Sequence, residues 1–167
     1  MKNGGLNSLL VSLSHGDLLP TNILVDSNTW VANGYIDWAE AELLPHGTKL
    51  YALDHLLGYL DVSSPRRPRF VYYAQAEEPR EIFWIAYAQQ IPREVAGDEK
   101  VQTAMQLARD VGCLLWHGFA WDDGRIDGIV DRIDDREELA YLEAFLGVEV
   151  KSARHDSVVD ASPKMEA

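Results

Sequence analysis

Residues 15–26 read HGDLLPTNILVD, and this stretch decides how the rest of the chain is interpreted. Asn22 follows Asp17 by five positions and opens an apolar, β-prone run. Turn-forming residues come next, and residues 30–37 (WVANGYID) then resume a partly alternating pattern that ends at Asp37. Two short strands around a polar turn predict a β-hairpin. Because a hairpin returns the chain to its starting point, we expect Asn22 and Asp37 to be neighbours, with Asp17 facing both.

These three residue types, in this arrangement, suit phosphoryl transfer. One carboxylate has to orient the attacking hydroxyl and accept its proton, while an amide oxygen and a second carboxylate hold Mg²⁺, which prefers oxygen ligands. Asp17 fits the first role, and Asn22 and Asp37 fit the second. The alternative is that the motif is a relic, in which Asp17 bonds a loop amide and Asp37 caps a following helix.

The stretch HGDLLPTNILVD, together with GYIDWAEAELLPHGTKLYAL at residues 34–53, resembles the aminoglycoside phosphotransferase/choline kinase family, and in particular its fungal members. The resemblance implies an α+β, mainly α fold, namely a protein-kinase-like C-lobe in which a catalytic-loop β-hairpin is followed by a helical bundle. It implies that Asp17 is the catalytic aspartate and that His15 supports its loop. Asn22 and Asp37 would be the magnesium ligands, ATP the phosphoryl donor, and a hydroxyl of a small molecule the acceptor.

The resemblance concerns one lobe of a two-lobed kinase, which we place at residues 1–147, followed by a tail at 148–167 that we expect to be disordered. Such kinases bind ATP with a glycine-rich loop and a lysine from the N-lobe. The chain has no G-x-G-x-x-G pattern, and none of its five lysines lies in an apolar strand ahead of Asp17. We therefore expect the N-lobe to be absent and this chain alone to bind ATP poorly and to be inactive.

Three interpretations of such a chain stay open. It is a fragment of a small-molecule kinase, a non-catalytic pseudokinase-like binding module, or one half of a split kinase. In each case the side of the lobe that faces the ATP cleft should expose an apolar patch, which a partner chain would cover.

Composition narrows the partners and the compartment. The 167 residues carry a formal net charge of −12, which repels phosphate backbones and argues against nucleic acid as a partner. The single cysteine, Cys113, lies in an apolar helical stretch, so we expect a buried thiol in a reducing compartment. No stretch reaches the roughly 18 apolar residues that a membrane span needs. We therefore expect a cytoplasmic protein without membrane attachment.

Helical periodicity dominates the rest of the chain. Four helices are predicted: at 47–60, where leucines recur at helical spacing; from Pro79, in PREIFWIAYAQQI; after the capping residue Asp98; and after Asp134 and Asp135. The third either breaks near Gly112 or ends at Gly118. The acid-rich residues 121–138 are expected to be a solvated loop and a helix start, since their spacing does not match a calcium-binding loop.

Two interpretations of the tryptophans also stay open. An aromatic pocket for a cationic amino-alcohol or aminosugar would combine tryptophans with nearby acids. The residues concerned are Trp38, Trp84, Trp116, Trp121, Glu40, Glu42 and Asp54. The helical spacing of the tryptophans favours packing in the core instead. The histidines show no metal-ligand spacing and are expected to be ordinary core or surface residues.

Overall fold

A computed structural model describes residues 5–64, 66–92, 97–122 and 125–148, and it shows a mixed α/β chain. The described part contains four α-helices and eight short strands, which pair into four two-stranded antiparallel sheets. The helices are α1 (Ala52–Leu56), α2 (Glu77–Gln90), α3 (Glu99–His117) and α4 (Arg136–Leu146). The strands are β1 (Val11–Ser14), β2 (Ile23–Val25), β3 (Ala32–Tyr35), β4 (Glu42–Pro45), β5 (Gly58–Asp61), β6 (Arg69–Tyr72), β7 (Phe119–Asp122) and β8 (Arg125–Ile129). The tail predicted to be disordered lies outside the described residues, apart from Val148.

The β2–β3 hairpin that the sequence predicts is present. Ile23 pairs with Tyr35, and the strands are shorter than predicted because the register shifts within the hairpin. Asp26 organises the turn, since its Oδ1 accepts hydrogen bonds from the backbone N–H groups of Asn28 (3.0 Å) and Thr29 (2.8 Å). A carboxylate that bonds the backbone two and three residues on is the turn chemistry expected here.

A second antiparallel pair joins β1 to β4. Leu13 and Leu43 are direct partners in it, and they are 63% and 70% exposed. Val11 lies two residues before Leu13, on the same side of the strand, and is 65% exposed. These three residues form the apolar strand face, an exposed patch of the kind that the sequence predicts.

The helix predicted at 47–60 is wrong over most of its length. Residues 46–51 form turns, α1 is only five residues long, and Gly58 begins β5. A Cβ atom at Gly58 would lie 2.5 Å from the carbonyl oxygen of Val71 and 2.5 Å from the ring of Phe70. The glycine therefore lets β5 lie directly against β6, and this strand pairing overrides the leucine periodicity.

The other three predicted helices are confirmed. Helix α2 contains Pro79 in its first turn. Asp98 caps α3, because its Oδ1 accepts a hydrogen bond from the backbone N–H of Lys100 at 2.8 Å. Helix α3 is unbroken and ends at Gly118, while Gly147 adopts a left-handed conformation after α4.

The sequence led us to expect a loop and a helix start at residues 121–138, but only part of this stretch is a loop. Strands β7 and β8 form a hairpin in its first part, with Phe119 paired to Ile129 and Trp121 to Ile126. Helix α4 occupies its last part, as predicted. Few residues at the strand positions are apolar, and acids flank them. The sequence therefore shows no clear pattern of a strand pair here.

Two buried clusters hold the helices against the loops. The larger cluster consists of Tyr51, Cys113, Leu139, Leu142 and Phe145, with Phe70, Tyr72 and Tyr141 among the residues packed around it. The smaller cluster consists of Leu9, Ala104, Met105 and Ala108. Cys113 is fully buried, and burial raises the pKa of its thiol to about 12. The predicted burial of the thiol is therefore confirmed.

Asp54 is the centre of a buried ion-pair network and does not line the cavity, which excludes it from the aromatic-pocket interpretation. Its Oδ1 accepts hydrogen bonds from Nη1 of Arg80 (2.7 Å) and from the hydroxyl of Tyr72 (3.0 Å). Its Oδ2 accepts one from Nη2 of Arg109 (2.6 Å), which also donates to the carbonyl oxygen of Phe145 (3.0 Å). The network therefore ties together all four helices and β6.

Candidate active site

The loop before β2 brings Asp17 and Asn22 into direct contact. The Nδ2 group of Asn22 donates to the backbone oxygen of Asp17 (2.9 Å) and to its Oδ2 (3.1 Å). Asn22 is buried and ends the 3₁₀ turn Pro20–Asn22. Both bonds use Nδ2, so Oδ1, the atom with which an asparagine binds a metal, takes part in neither.

Asp37 follows β3, the second strand of the hairpin, at the open end where β2 begins. The backbone N–H of Ile36 donates to the carbonyl oxygen of Asn22 at 3.0 Å, so Asp37 follows directly after a residue that is paired with Asn22. Asp37 is exposed and has a φ of +62°. Aspartate is one of the few non-glycine residues that adopt this left-handed conformation with some frequency. The alternative role as a helix cap is excluded, because residues 38–51 contain no α-helix.

His15 links the loop to the end of the hairpin. Its Nε2 donates to the carbonyl oxygen of Ile36 at 2.9 Å, and its ring lies 4.5 Å from that of Trp38. The indole Nε1 of Trp38 donates in turn to the carbonyl oxygen of Tyr35 at 3.1 Å. These contacts are what a residue that supports the loop should make, which is the role the sequence predicts for His15.

The donor atoms of this cluster suit a hard cation. The carboxylates of Asp17 and Asp37 and the Oδ1 atom of Asn22 are all oxygen donors, the kind that Mg²⁺ prefers. Side-chain contact is shown between Asp17 and Asn22, and Asp37 is connected to them through the backbone of Ile36. Across the described ranges, no three His, Cys, Asp or Glu side chains come together as a metal site. A magnesium ion at the hairpin would therefore depend on the asparagine amide in addition to carboxylates.

A cavity of about 820 Å³ opens directly beside the loop. Its wall begins at residues 39–42, and Gly16 connects this segment to the loop, because a Cβ atom there would lie 2.0 Å from the carbonyl oxygen of Glu40. One side of the cavity is aromatic, with Trp116, Phe119 and Trp121. Four acids also line it, namely Glu40, Glu42, Asp135 and Glu138. Lys49 is the one basic residue among the described lining residues.

A glycine in α3 lets Lys49 reach the cavity. A Cβ atom at Gly112 would lie 1.7 Å from the carbonyl oxygen of Thr48, so the turn before α1 lies directly on the helix. The ammonium of Lys49 then lies 4.6 Å from the ring centre of Trp116, which is one helical turn after Gly112. It is 4.0 Å from Oε1 of Glu42.

Two of the four tryptophans line a cavity, as the pocket interpretation requires. Trp116 and Trp121 line the cavity, whereas Trp38 contacts His15 and Trp84 packs against aromatic residues of α2. The favoured interpretation, packing in the core, is wrong for three of them. Trp38, Trp84 and Trp121 are 49%, 37% and 50% exposed.

A buried histidine pair, which sequence reasoning missed, supports one acid of the cavity wall. Oε2 of Glu138 accepts a hydrogen bond from Nδ1 of His117 at 2.5 Å, and Nε2 of His117 lies 3.2 Å from Nε2 of His55. Both histidines are buried. They are 62 positions apart, and the only sequence signal was that each lies in an apolar helical stretch.

The histidine pair should make the fold less stable at acidic pH. Burial, with a smaller contribution from His117, lowers the pKa of His55 from 6.5 to about 4, although Asp54 opposes the shift. The unfolded chain therefore binds a proton at His55 below pH 6.5, while the folded chain does so only near pH 4. We expect the free energy of unfolding, measured by urea titration, to fall as the pH is lowered between these values. In His55→Asn the fall should be shallower, and an equal slope in both proteins would contradict the assignment.

In comparisons with known proteins, no family model, no curated protein and no solved structure matches this chain. None of the helices in the part of the chain that the structure describes is long and apolar enough to cross a membrane. The function of the site is therefore inferred from its own geometry and from the sequence motif.

Proposed function

We propose that this chain is the C-lobe of a small-molecule kinase, which transfers a phosphoryl group from ATP to a hydroxyl of an acceptor held in the adjoining cavity. The observation that carries the proposal is the contact between Asp17 and Asn22, with Asp37 at the other end of the same hairpin and a cavity beside the loop. Asp17 uses Oδ2 for its bond with Asn22, which leaves Oδ1 to orient the hydroxyl and take its proton.

Asn22 and Asp37 are the residues that would hold Mg²⁺. The ion, when bound, supplies positive charge that neutralises the phosphates of ATP. Catalysis of this kind depends on positioning and on charge stabilisation. Because the sequence carries no glycine-rich phosphate loop, we propose that efficient transfer requires an N-lobe and that this chain alone is close to inactive.

The cavity suits an acceptor that carries a positive charge. Its aromatic residues attract cations through the faces of their rings, and Glu40 and Asp135, which also line the cavity, add negative charge. This supports the class of cationic amino-alcohols or aminosugars that the sequence suggested.

Calorimetry with Mg·ATP tests the proposal. We expect weak binding by the wild type, and Asp37→Asn should weaken it by about tenfold or more, because a metal ligand loses its charge. Asp17→Asn is the matched control: it removes a carboxylate from the same cluster but leaves the proposed metal ligands, so its affinity should match the wild type. Absence of binding heat, or equal weakening in both variants, would count against a nucleotide role.

A second candidate function is a non-catalytic binding module or one half of a split kinase. The exposed apolar strand face, Val11, Leu13 and Leu43, favours it, because such patches mark interaction sites. Fusion of an N-lobe from a family member separates the candidates. Transfer that appears in the fusion and is abolished by Asp17→Ala indicates a kinase, whether its N-lobe is in the same chain or in a separate one, whereas Mg·ATP binding without transfer indicates a binding module.

A further inference from the structure

We propose that the cavity binds a ligand with an anionic oxygen group, which the ammonium of Lys49 holds beside the indole of Trp116. The inference deepens the proposed function and rests on it in one respect, since the cavity is the acceptor site of that proposal. It gives the acceptor an anionic group in addition to its hydroxyl and its positive charge.

The first argument is the environment of Lys49. Its side chain is only 17% exposed, because the apolar stem is packed, while the ammonium end lines the cavity. Among the described residues, the nearest carboxylate oxygen is Oε1 of Glu42 at 4.0 Å, beyond hydrogen-bonding distance, and no hydrogen bond of the ammonium is formed. The indole of Trp116 compensates in part through a cation–π contact at 4.6 Å. Three N–H donors therefore remain for a ligand.

The second argument is the cost of leaving such a group without partners. An ammonium in a partly buried position is less well solvated than one at the open surface, and the contacts of Lys49 with Glu42 and Trp116 replace only part of that solvation. Burial accordingly lowers the pKa of Lys49, while Glu42, Glu40 and Asp17 act in the opposite direction. An anionic oxygen group in the cavity would supply charge-assisted hydrogen bonds, which are stronger than neutral ones.

Several acids of the cavity wall are held by partners of their own, so their oxygens are oriented toward those partners. Glu138 accepts its hydrogen bond from His117, and Oδ2 of Asp135 accepts one from the backbone N–H of Asp131 at 2.9 Å. Glu42 faces Lys49 itself. The negative charge of the cavity suits an amine on the ligand, and Lys49 suits an anionic group. The acceptor class that fits both is a zwitterionic hydroxyl compound.

The anionic group has two possible sources with the same chemistry. It belongs either to the acceptor, as a carboxylate or a phosphate, or to the phosphoryl group that is transferred. Lys49 lines the same cavity as Glu40, and Glu40 contacts Gly16, the residue before Asp17, which is compatible with both sources. The aromatic residues of the cavity suit an acceptor with an apolar body. An aromatic carboxylate is therefore the probe for the first source, and inorganic phosphate is the probe for the second.

Titration of the full chain by NMR, without nucleotide, tests the proposal. The probes are benzoate, inorganic phosphate and choline, and the readout is the indole N–H signal of Trp116, assigned with Trp116→Phe. We expect both anions to shift this signal and Lys49→Met to weaken their binding at least about tenfold, as loss of a charged hydrogen-bond donor does. Lys100→Met removes the same charge from an exposed lysine at the start of α3 and should bind like the wild type. Tighter binding of benzoate than of phosphate assigns the site to the acceptor, and the reverse assigns it to the phosphoryl group.

Equal anion affinity in the wild type and Lys49→Met would overturn the proposal. So would a Trp116 signal in the wild type that only choline shifts, and this second result does not depend on whether the variant folds. Asp17→Asn, which lacks the proposed catalytic carboxylate, should bind the anions at least as tightly as the wild type, because a nearby negative charge is removed. Anion binding without any Mg·ATP binding would therefore refute the proposed function alone.

Discussion

Asp54→Ala is expected to lower the free energy of unfolding by about 3–5 kcal/mol, because it leaves two guanidinium groups without their shared carboxylate in a largely buried environment. The Asp54 side chain is 3% exposed, and those of Arg80 and Arg109 are 24% and 12% exposed. Burial acts to lower the pKa of both arginines, but the hydrogen bonds and charge of Asp54 outweigh it, so both pKa values are raised. The carboxylate of Asp54 therefore allows two positive charges to lie in this largely buried environment. A loss of this size is a large part of the stability of a typical domain, about 5–15 kcal/mol.

Urea titration followed by circular dichroism measures this effect. Asp61→Ala is the matched control, since it breaks an arginine–aspartate pair at the surface, where Nε of Arg69 lies 3.3 Å from Oδ2. Surface pairs contribute little, so the unfolding midpoint of Asp61→Ala should stay close to that of the wild type. If Asp54→Ala unfolded at the same urea concentration as Asp61→Ala, the network would not be a main support of the fold.

The parts of the site that the sequence predicts are those built from local chemistry. Asn22 and Asp37 are separated by a single hairpin, and the turn between them carries its own signal in Asp26, whose carboxylate bonds the next residues of the chain. The hairpin therefore follows from the order of residue types alone. The cap at Asp98 and the end of α4 at Gly147 are local in the same sense, and both are confirmed.

The parts that the sequence does not predict depend on contacts between distant positions. The leucines before Gly58 have helical spacing, but a strand ten residues further on pairs with residues 58–61 and ends the helix early. Asp54 reads as a polar residue near a tryptophan-lined pocket, yet its partner Arg109 is 55 positions away. Lys49 reaches the cavity because Gly112 lets the backbone of α3 touch the backbone at Thr48. Neither segment has a sequence pattern that predicts this contact. Such close approaches are decided by packing.

Gly16→Ala is expected to destabilise the protein by about 2–5 kcal/mol and to displace the loop that carries Asp17. Gly16 has a φ of +89°, a conformation that L side chains rarely adopt. A Cβ atom there would lie 2.0 Å from the carbonyl oxygen of Glu40 and 2.5 Å from its carbonyl carbon. These are backbone atoms, so rotation of a side chain cannot relieve the overlap, and the loop has to move away from the cavity wall.

Gly147→Ala separates the two causes of this loss. Gly147 also has a positive φ, +63°, but nothing lies within 4 Å of the position that its Cβ would take. Gly147→Ala should therefore lower the free energy of unfolding only through the unfavourable backbone conformation, by about 1–2 kcal/mol. The difference between the two variants then measures the contact of Gly16 with Glu40. Gly16→Ala should also weaken Mg·ATP binding, because Asp17 and Asn22 move together, whereas Gly147→Ala should not. Equal stability losses with unchanged binding in both variants would mean that the loop holds its geometry without that contact. The hydrogen bonds of Asn22 to Asp17 would then suffice to position the cluster.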